Sequence, residues 1–296
     1  MKLHCSLAAS IQKTRKRAYR HFSKGAYHIF VVDDSPQIPQ MKATHEDFTL
    51  DIVVQGFPGK SVCHGGLGWS TIALLRGAGR AVLIDVGSFN IRIPLIERLA
   101  QRGVRPDQVT DVLLTHSHWD HSVNWVLFGN ATIAIGAHEL EWSLQEKWGE
   151  KQVPELYVRE LHSSPRCKPV REGDTVLPGI RVFDAPGHTP GHLIFVLAGR
   201  EQDIIFTGDS AKNRAELLSR SADMTYDASV SRASIERIWA LWRQRPGTVL
   251  VPGHDMPIVL EDGQPRYISE RQAAISTWFG DDLESTTLFE LTLAAP

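Results

Sequence analysis

The residues best suited to chemistry lie in one short run, His116-Ser117-His118-Trp119-Asp120-His121, which puts three histidines and an aspartate within six positions. In an extended loop His116 and His118 point the same way. Asp120 and His121 follow where the chain would turn into a helix. Three more candidates sit beside glycine at separate turns: His188 in Pro186-Gly187-His188, Asp209 in Gly208-Asp209, and His254 in Pro252-Gly253-His254. Glycine permits the tight turns that aim a side chain inward. Isolated histidines are usually ordinary surface or core residues, and His4, His21, His28, His45, His64, His138 and His162 read that way. A clustered run joined by separate Gly-His and Gly-Asp turns does not. Seven ligands, all imidazole or carboxylate, suit two metal ions with one bridging carboxylate and an open position on each for water. Zinc fits this donor set, with manganese, iron and cobalt as the other options.

Such ligands need a rigid frame, and the hydrophobic pattern supplies one. Alternation from Phe48 to Val54 predicts a strand, followed by a glycine-rich loop from Gly56 to Gly68. Thr71 to Arg76 and Ala81 to Asp85 read as a hairpin turning at Gly77 to Gly79. Strands are also expected at 109–115, 132–135, 180–184, 193–197, 204–207 and 248–251. Helices are expected at 91–101, 137–147, 231–243 and 269–278. Strands and helices interleaved in this way predict an α/β architecture with helices covering sheet faces. Asp85, His116, His188, Asp209 and His254 each follow a predicted strand within a few residues, so they can converge on one sheet edge.

Composition bounds the rest. The chain of 296 residues is 42% hydrophobic and 22% charged, with a net charge of −2, which fits an ordinary globular protein. That balance gives no general pull toward nucleic acid or a membrane surface. It leaves both a small-molecule substrate and a homodimer open. Residues 1–24 differ: Lys2, Lys13, Arg15, Lys16, Arg17, Arg20 and Lys24 stand there with no acidic residue. They lack the apolar stretch and small-residue cleavage site of a signal peptide. Residues 1–47 are therefore expected to be a basic, disordered extension, and 48–296 a single domain. Cys5, Cys63 and Cys167, an odd number, argue against a disulfide framework and fit a reducing, cytoplasmic setting. No apolar run approaches the roughly 18 residues of a transmembrane helix.

From about residue 50 to 260 the chain resembles the metallo-β-lactamase superfamily of metallo-hydrolases, on the His116 to His121 run and the three later turns. The resemblance implies a four-layer αβ/βα sandwich of two mixed sheets with helices outside. It implies that His116, His118 and His188 bind a first metal, that Asp120, His121 and His254 bind a second, and that Asp209 bridges them. Asp85, in Leu83-Ile84-Asp85-Val86-Gly87, would orient a ligand histidine, His116 being the expected one. His192 closes Gly187-His188-Thr189-Pro190-Gly191-His192. In relatives the first histidine of that turn is the ligand, so His192 reads as a supporting residue. Asp120 would also pass a proton to the leaving group.

Departures narrow the branch. The β-lactamases of the superfamily lack the bridging aspartate that Asp209 would supply. Acyl-homoserine lactonases share Gly253-His254-Asp255 and Thr207-Gly208-Asp209, but carry tyrosine where this chain has Lys212, which could still donate to a substrate carbonyl. Lactonase-like hydrolysis of a lactone, ester or amide by two zinc ions is the favoured expectation. The alternatives are a glyoxalase II-like thioester hydrolase, a mononuclear-iron oxidoreductase like the persulfide dioxygenases, and a binding protein without catalysis. Trp69, Phe89, Trp119, Trp125 and Trp148 could line an apolar pocket or pack in the core, Trp119 being the first choice for the pocket. The polar stretch from Glu139 to Pro169 reads as a lid or a dimer contact.

Overall fold

The computed structural model describes residues 48–291 except 201, 272 and 284, together with the backbone of 20–23, 28–31 and 41–43. Two units are distinguished, residues 1–36 and 37–296. In the first, Arg20–Ser23 pairs antiparallel with His28–Val31. The rest of the basic segment 1–24 lies outside the described residues. In the second unit the sheet begins before the expected start at residue 48, because Met41–Ala43 (β1) pairs with the next strand.

One seven-stranded sheet contains β1, Phe48–Val54 (β2), Ile72–Gly77 (β3), Arg80–Ile84 (β4), Asp111–Leu113 (β5), Thr132–Gly136 (β6) and Cys167–Val170 (β7), in the order β7-β6-β5-β4-β3-β2-β1. The β4 to β7 side is parallel and the β1 to β4 side antiparallel. The second sheet runs in chain order through Thr175–Leu177 (β8), Ile180–Asp184 (β9), Leu193–Leu197 (β10), Ile204–Gly208 (β11), Val249–Pro252 (β12), Ile258–Glu261 (β13) and Gln264–Tyr267 (β14). Only its β11–β12 pair is parallel.

Three apolar layers show how the sheets stack. Phe48, Leu50 and Ile52 share a core with Phe195 and Phe206, so the inner faces of the sheets meet there. Alternate residues such as Leu74 and Leu83 pack outward with Leu95 and Leu99 of Arg92–Gln101 (α1), Leu140 of Ala137–Gln145 (α3), and Val158 and Leu161 of Glu155–Ser163 (α4). On the far side Ile194 and Ile205 pack with Leu217 of Arg214–Ser219 (α5) and with Ile235, Ile238, Trp239 and Trp242 of Ala228–Trp242 (α6). Each such side chain contributes about 1.5–3 kcal/mol when fully buried. The result is the expected αβ/βα sandwich.

One expectation changes. The helix expected at 269–278 is replaced by a hairpin, Ala274–Thr277 with Thr287–Glu290. Arg271 is drawn into an ion pair with Asp255, and the β-branched Ile275 and Thr277 suit a strand. The stretch from Glu139 to Pro169 is largely outer-layer structure, since its α3 and α4 bury Leu140, Val158 and Leu161. Among the described residues no helix is long and apolar enough to cross a membrane, and Cys63 and Cys167 are free thiols.

Candidate metal centre

Most of the expected site residues sit just beyond a strand end. Asp85 follows β4, His116 and His118 follow β5, and His121 lies on the short helix Trp119–Ser122 (α2). His188 follows β9, Asp209 follows β11, and His254 follows β12. The close approach of these turns depends on glycine. A Cβ on Gly253 would collide with the Asp209 carboxylate.

The seven side chains expected as ligands meet in two groups. His118 Nδ1 and His188 Nε2 are 2.9 Å apart, with the His116 ring 4.7 Å and 4.9 Å from theirs between centroids. On the other side His121 Nε2 and His254 Nε2 are 3.2 Å apart, and Asp120 Oδ2 is 3.3 Å from His254 Nε2. Asp209 lies between the groups. Its Oδ2 is 3.3 Å from His188 Nε2, while its Oδ1 is 3.2 Å from His121 Nε2 and 3.3 Å from His254 Nε2. Donor atoms of His116, His118 and His188, and of Asp120, His121 and His254, are each close enough together to hold a metal ion.

The hydrogen bonds behind the rings set their tautomers. Asp85 accepts from Thr115 N–H, from Thr115 Oγ1 and from His121 Nδ1, each at 2.8 Å. Thr115 Oγ1 donates to Asp85, so it accepts from His116 Nδ1 at 3.1 Å. Both rings then aim Nε2 at the centre, that of His116 with a bare lone pair. The expected pairing of Asp85 with His116 is corrected: Asp85 grips His121 directly and reaches His116 only through Thr115. Asp85 holds φ of +53° to do this. His192 takes a supporting place. Its Nε2 accepts from Asp209 N–H at 2.9 Å, and its Nδ1 donates to Ser210 Oγ at 2.8 Å. Neither nitrogen is spare.

Electrostatics separate the two groups. Burial pushes His116, His118 and His188 down, His118 to about 4, so all three are neutral donors at pH 7. Burial also pulls on His121 and His254, but Asp209 and Asp120 outweigh it. His121 ends well above its ordinary value and His254 at about 9. His116 Nε2 is buried with no hydrogen-bond partner, and a buried unpaired polar atom costs about 1–3 kcal/mol. A cation at the centre would satisfy it, and imidazole with carboxylate is a donor set that zinc accepts.

The sequence profile of the metallo-beta-lactamase superfamily matches residues 65–254, more than half of the chain. The chain belongs to the metallo-beta-lactamase superfamily. It is 30% identical over 212 residues to hydroxyacylglutathione hydrolase of Fuscovulum blasticum, covering 67% of this chain and 69% of that one. It is 24% identical to N-acyl homoserine lactonase of Bacillus thuringiensis over 55% of this chain, and spans 62% of the lactonase. The solved dizinc quorum-quenching lactonase AidC shares the fold, with a TM-score of 0.55 at 17% identity over 69% of this chain and 80% of that one. The chain's homologues in the metallo-beta-lactamase superfamily are metal-dependent hydrolases.

Around this metallo-beta-lactamase centre the remaining candidates sort by environment. Lys212 is engaged: its ammonium pairs with Glu216 at 3.1 Å and donates to the Asp223 carbonyl at 2.6 Å. Of the two places open to Trp125, the core is the one found, the ring being 3% exposed among the outer apolar residues. Trp69 is half-buried and stacked on Phe57, and Phe89 meets Tyr157 edge-on. Trp148 lies exposed under Arg159. Trp119 is 42% exposed, and its backbone N–H donates to Gln152 O at 3.1 Å. Sequence reasoning passed over Trp142 and Tyr226. The Trp142 ring stands edge-on to His118 at 6.4 Å and to Tyr226 at 6.0 Å. Glu139 was passed over too, although it is 0% exposed. Its spacing to Trp142, three residues on one helix, was the available signal that both share a face.

Proposed function

We propose that this chain is a dinuclear hydrolase, with zinc as its metal, that opens the carbonyl of a small lactone, ester or amide. The observation that carries the reading is Asp209, whose two oxygens face different histidine groups. In this reading His116, His118 and His188 would hold the first ion, Asp120, His121 and His254 the second, and Asp209 would be shared between them. Metal bound there supplies a water-derived nucleophile at neutral pH and draws charge from the attacked carbonyl.

The chain's own groups do the rest. Burial keeps the first three imidazoles neutral with their lone pairs available. Asp85 and Thr115 keep the His121 and His116 rings turned inward. Asp120 has the more open carboxylate, with side-chain exposure of 15% against 6% for Asp209. It is therefore the better placed of the two to pass a proton to the leaving group. Trp142 and Tyr226 offer an aromatic wall beside His118 for the acyl side of a substrate. Lys212, with two of its three N–H donors taken by Glu216 and Asp223, keeps one for a carbonyl oxygen.

A second reading, thioester hydrolysis, is supported by the similarity to hydroxyacylglutathione hydrolase. A pH-stat assay on lactones, thioesters, aryl esters and β-lactams separates the two, with lactone or ester turnover expected to lead. Metal analysis should give two zinc ions per chain. One iron per chain with oxygen uptake would sink the hydrolase reading, and turnover of the thioesters alone would replace the lactone with the thioester.

A further inference from the structure

Glu139 is the third residue of α3 and wholly buried, yet it touches none of the rings of the centre. Its Oε1 accepts from Ser117 N–H at 2.8 Å and from Ser117 Oγ at 2.7 Å. Its Oε2 accepts from Thr189 Oγ1 at 2.7 Å and from Gly191 N–H at 3.2 Å. Ser117 stands between His116 and His118, and Thr189 follows His188. One carboxylate thus ties together two loops about seventy positions apart in sequence, and both carry histidines of the first group. The fit is close. A Cβ on Gly191 would collide with the Glu139 backbone, and one on Gly136 would meet Gly191 O at 2.7 Å.

A buried carboxylate is an expensive way to fill space, because burial disfavours its charge. Burial does push the Glu139 carboxyl up, and the four hydrogen bonds pull against it. An apolar residue would fill the volume at less cost but could not accept from four donors on two loops. We infer that Glu139 is a positioning residue for the first metal: it fixes the spacing of the His116–His118 loop and the His188 turn, and so sets the affinity of that half alone. The inference rests on the metal assignment proposed above.

The test uses the metal-free full chain, titrated with zinc against a chromophoric chelator to obtain two stepwise dissociation constants, and with Co2+ followed by visible absorption. Glu139→Gln should weaken the first constant by about 10–100-fold, the range for removing a group that orients ligands, and alter the Co2+ bands of the first half. The second constant should stay within about threefold on the same basis. Equal losses in both halves with an unchanged Co2+ spectrum would mean a merely structural role and overturn the inference, as would wild-type constants. Should Glu139→Gln not fold, Thr189→Val and Ser117→Ala decide, each removing one of the four bonds. Selective weakening of the first half in both supports the inference, and anything else overturns it. A wild-type chain that binds fewer than two ions overturns the metal assignment itself, and this inference with it. Wild type with two ions and a Glu139→Gln chain that does not discriminate between them overturns this inference only.

Discussion

Around His116, His118 and His188 burial prevails and the imidazoles stay neutral, whereas around Asp120, His121 and His254 carboxylates prevail and the imidazoles hold protons. The supports differ in the same way. On the first side Glu139 holds two loops by hydroxyl and backbone N–H groups without touching a ring. On the second, Asp85 bonds the His121 ring itself. Two sites built in one fold thus reach different electrostatics, through burial on one side and through the Asp209 and Asp120 carboxylates on the other. A neutral donor set is ready for a cation, while a charged one must first give up protons.

The comparison breaks most completely if metal is irrelevant. Chelation should abolish hydrolysis by about 10³-fold or more, since several kcal/mol of charge stabilisation disappear with the ions, and zinc should restore it. An apoprotein assayed in chelator with unchanged turnover ends the metal reading. Asp209→Ala should come next, because the two oxygens of Asp209 face the two groups. Metal content and rate should fall together, whereas His254→Ala should lose one ion and retain the other. Two ions per chain and full turnover in Asp209→Ala would remove it as the bridge.

Asp85→Asn sharpens the contrast from the second side. The change leaves the shape of the side chain but weakens its hold on His121 Nδ1, so the second ion should be bound about 10–100-fold less tightly. The first ion should lose less, because His116 feels Asp85 only through Thr115. Stepwise zinc titration checks this. An equal loss in both halves would show that Thr115 transmits as much as the direct bond.

Which of these features were legible in the sequence depends on how locally each is written. The strand-end placement of His188, Asp209 and His254 could be read because a short apolar run and a glycine turn precede each. Alternating strands and periodic helices gave an α/β architecture with helices on sheet faces, while the αβ/βα layering came from the family resemblance carried by the His116 to His121 run and the later turns. The short strand Cys167–Val170 was not readable: it contains Lys168 and Pro169, and only parallel pairing with β6 makes it a strand. The hairpin at Ala274–Thr277 was misread as helix because the Arg271–Asp255 ion pair is a long-range contact. No motif in the sequence singles out Glu139 in the first turn of its helix. Its four donors come from residues 117, 189 and 191, which no local pattern links to it. The partner of Asp85 was missed for a related reason, since Thr115 takes the place beside His116.

The smallest expected effect is also the most direct measure of the difference between the halves. In the metal-free chain His254 holds its proton to about pH 9 against an ordinary value of 6.5, because Asp209 and Asp120 outweigh burial. A raised value means that its ion pairs stabilise the metal-free fold fully below pH 6.5 and progressively less as pH rises through 9. Metal competes with that same proton, so the sign for metal binding is opposite. Affinity for the second ion should rise about tenfold or more from pH 7 to 8, one proton being displaced per titrating group. His118 keeps a proton only below about pH 4, burial being the cause, and His116 and His188 are shifted in the same direction. Affinity for the first ion should therefore be flat over the same interval. Competition titrations at pH 7 and 8 read both constants at once, and parallel slopes would mean that the two halves share one electrostatic environment after all.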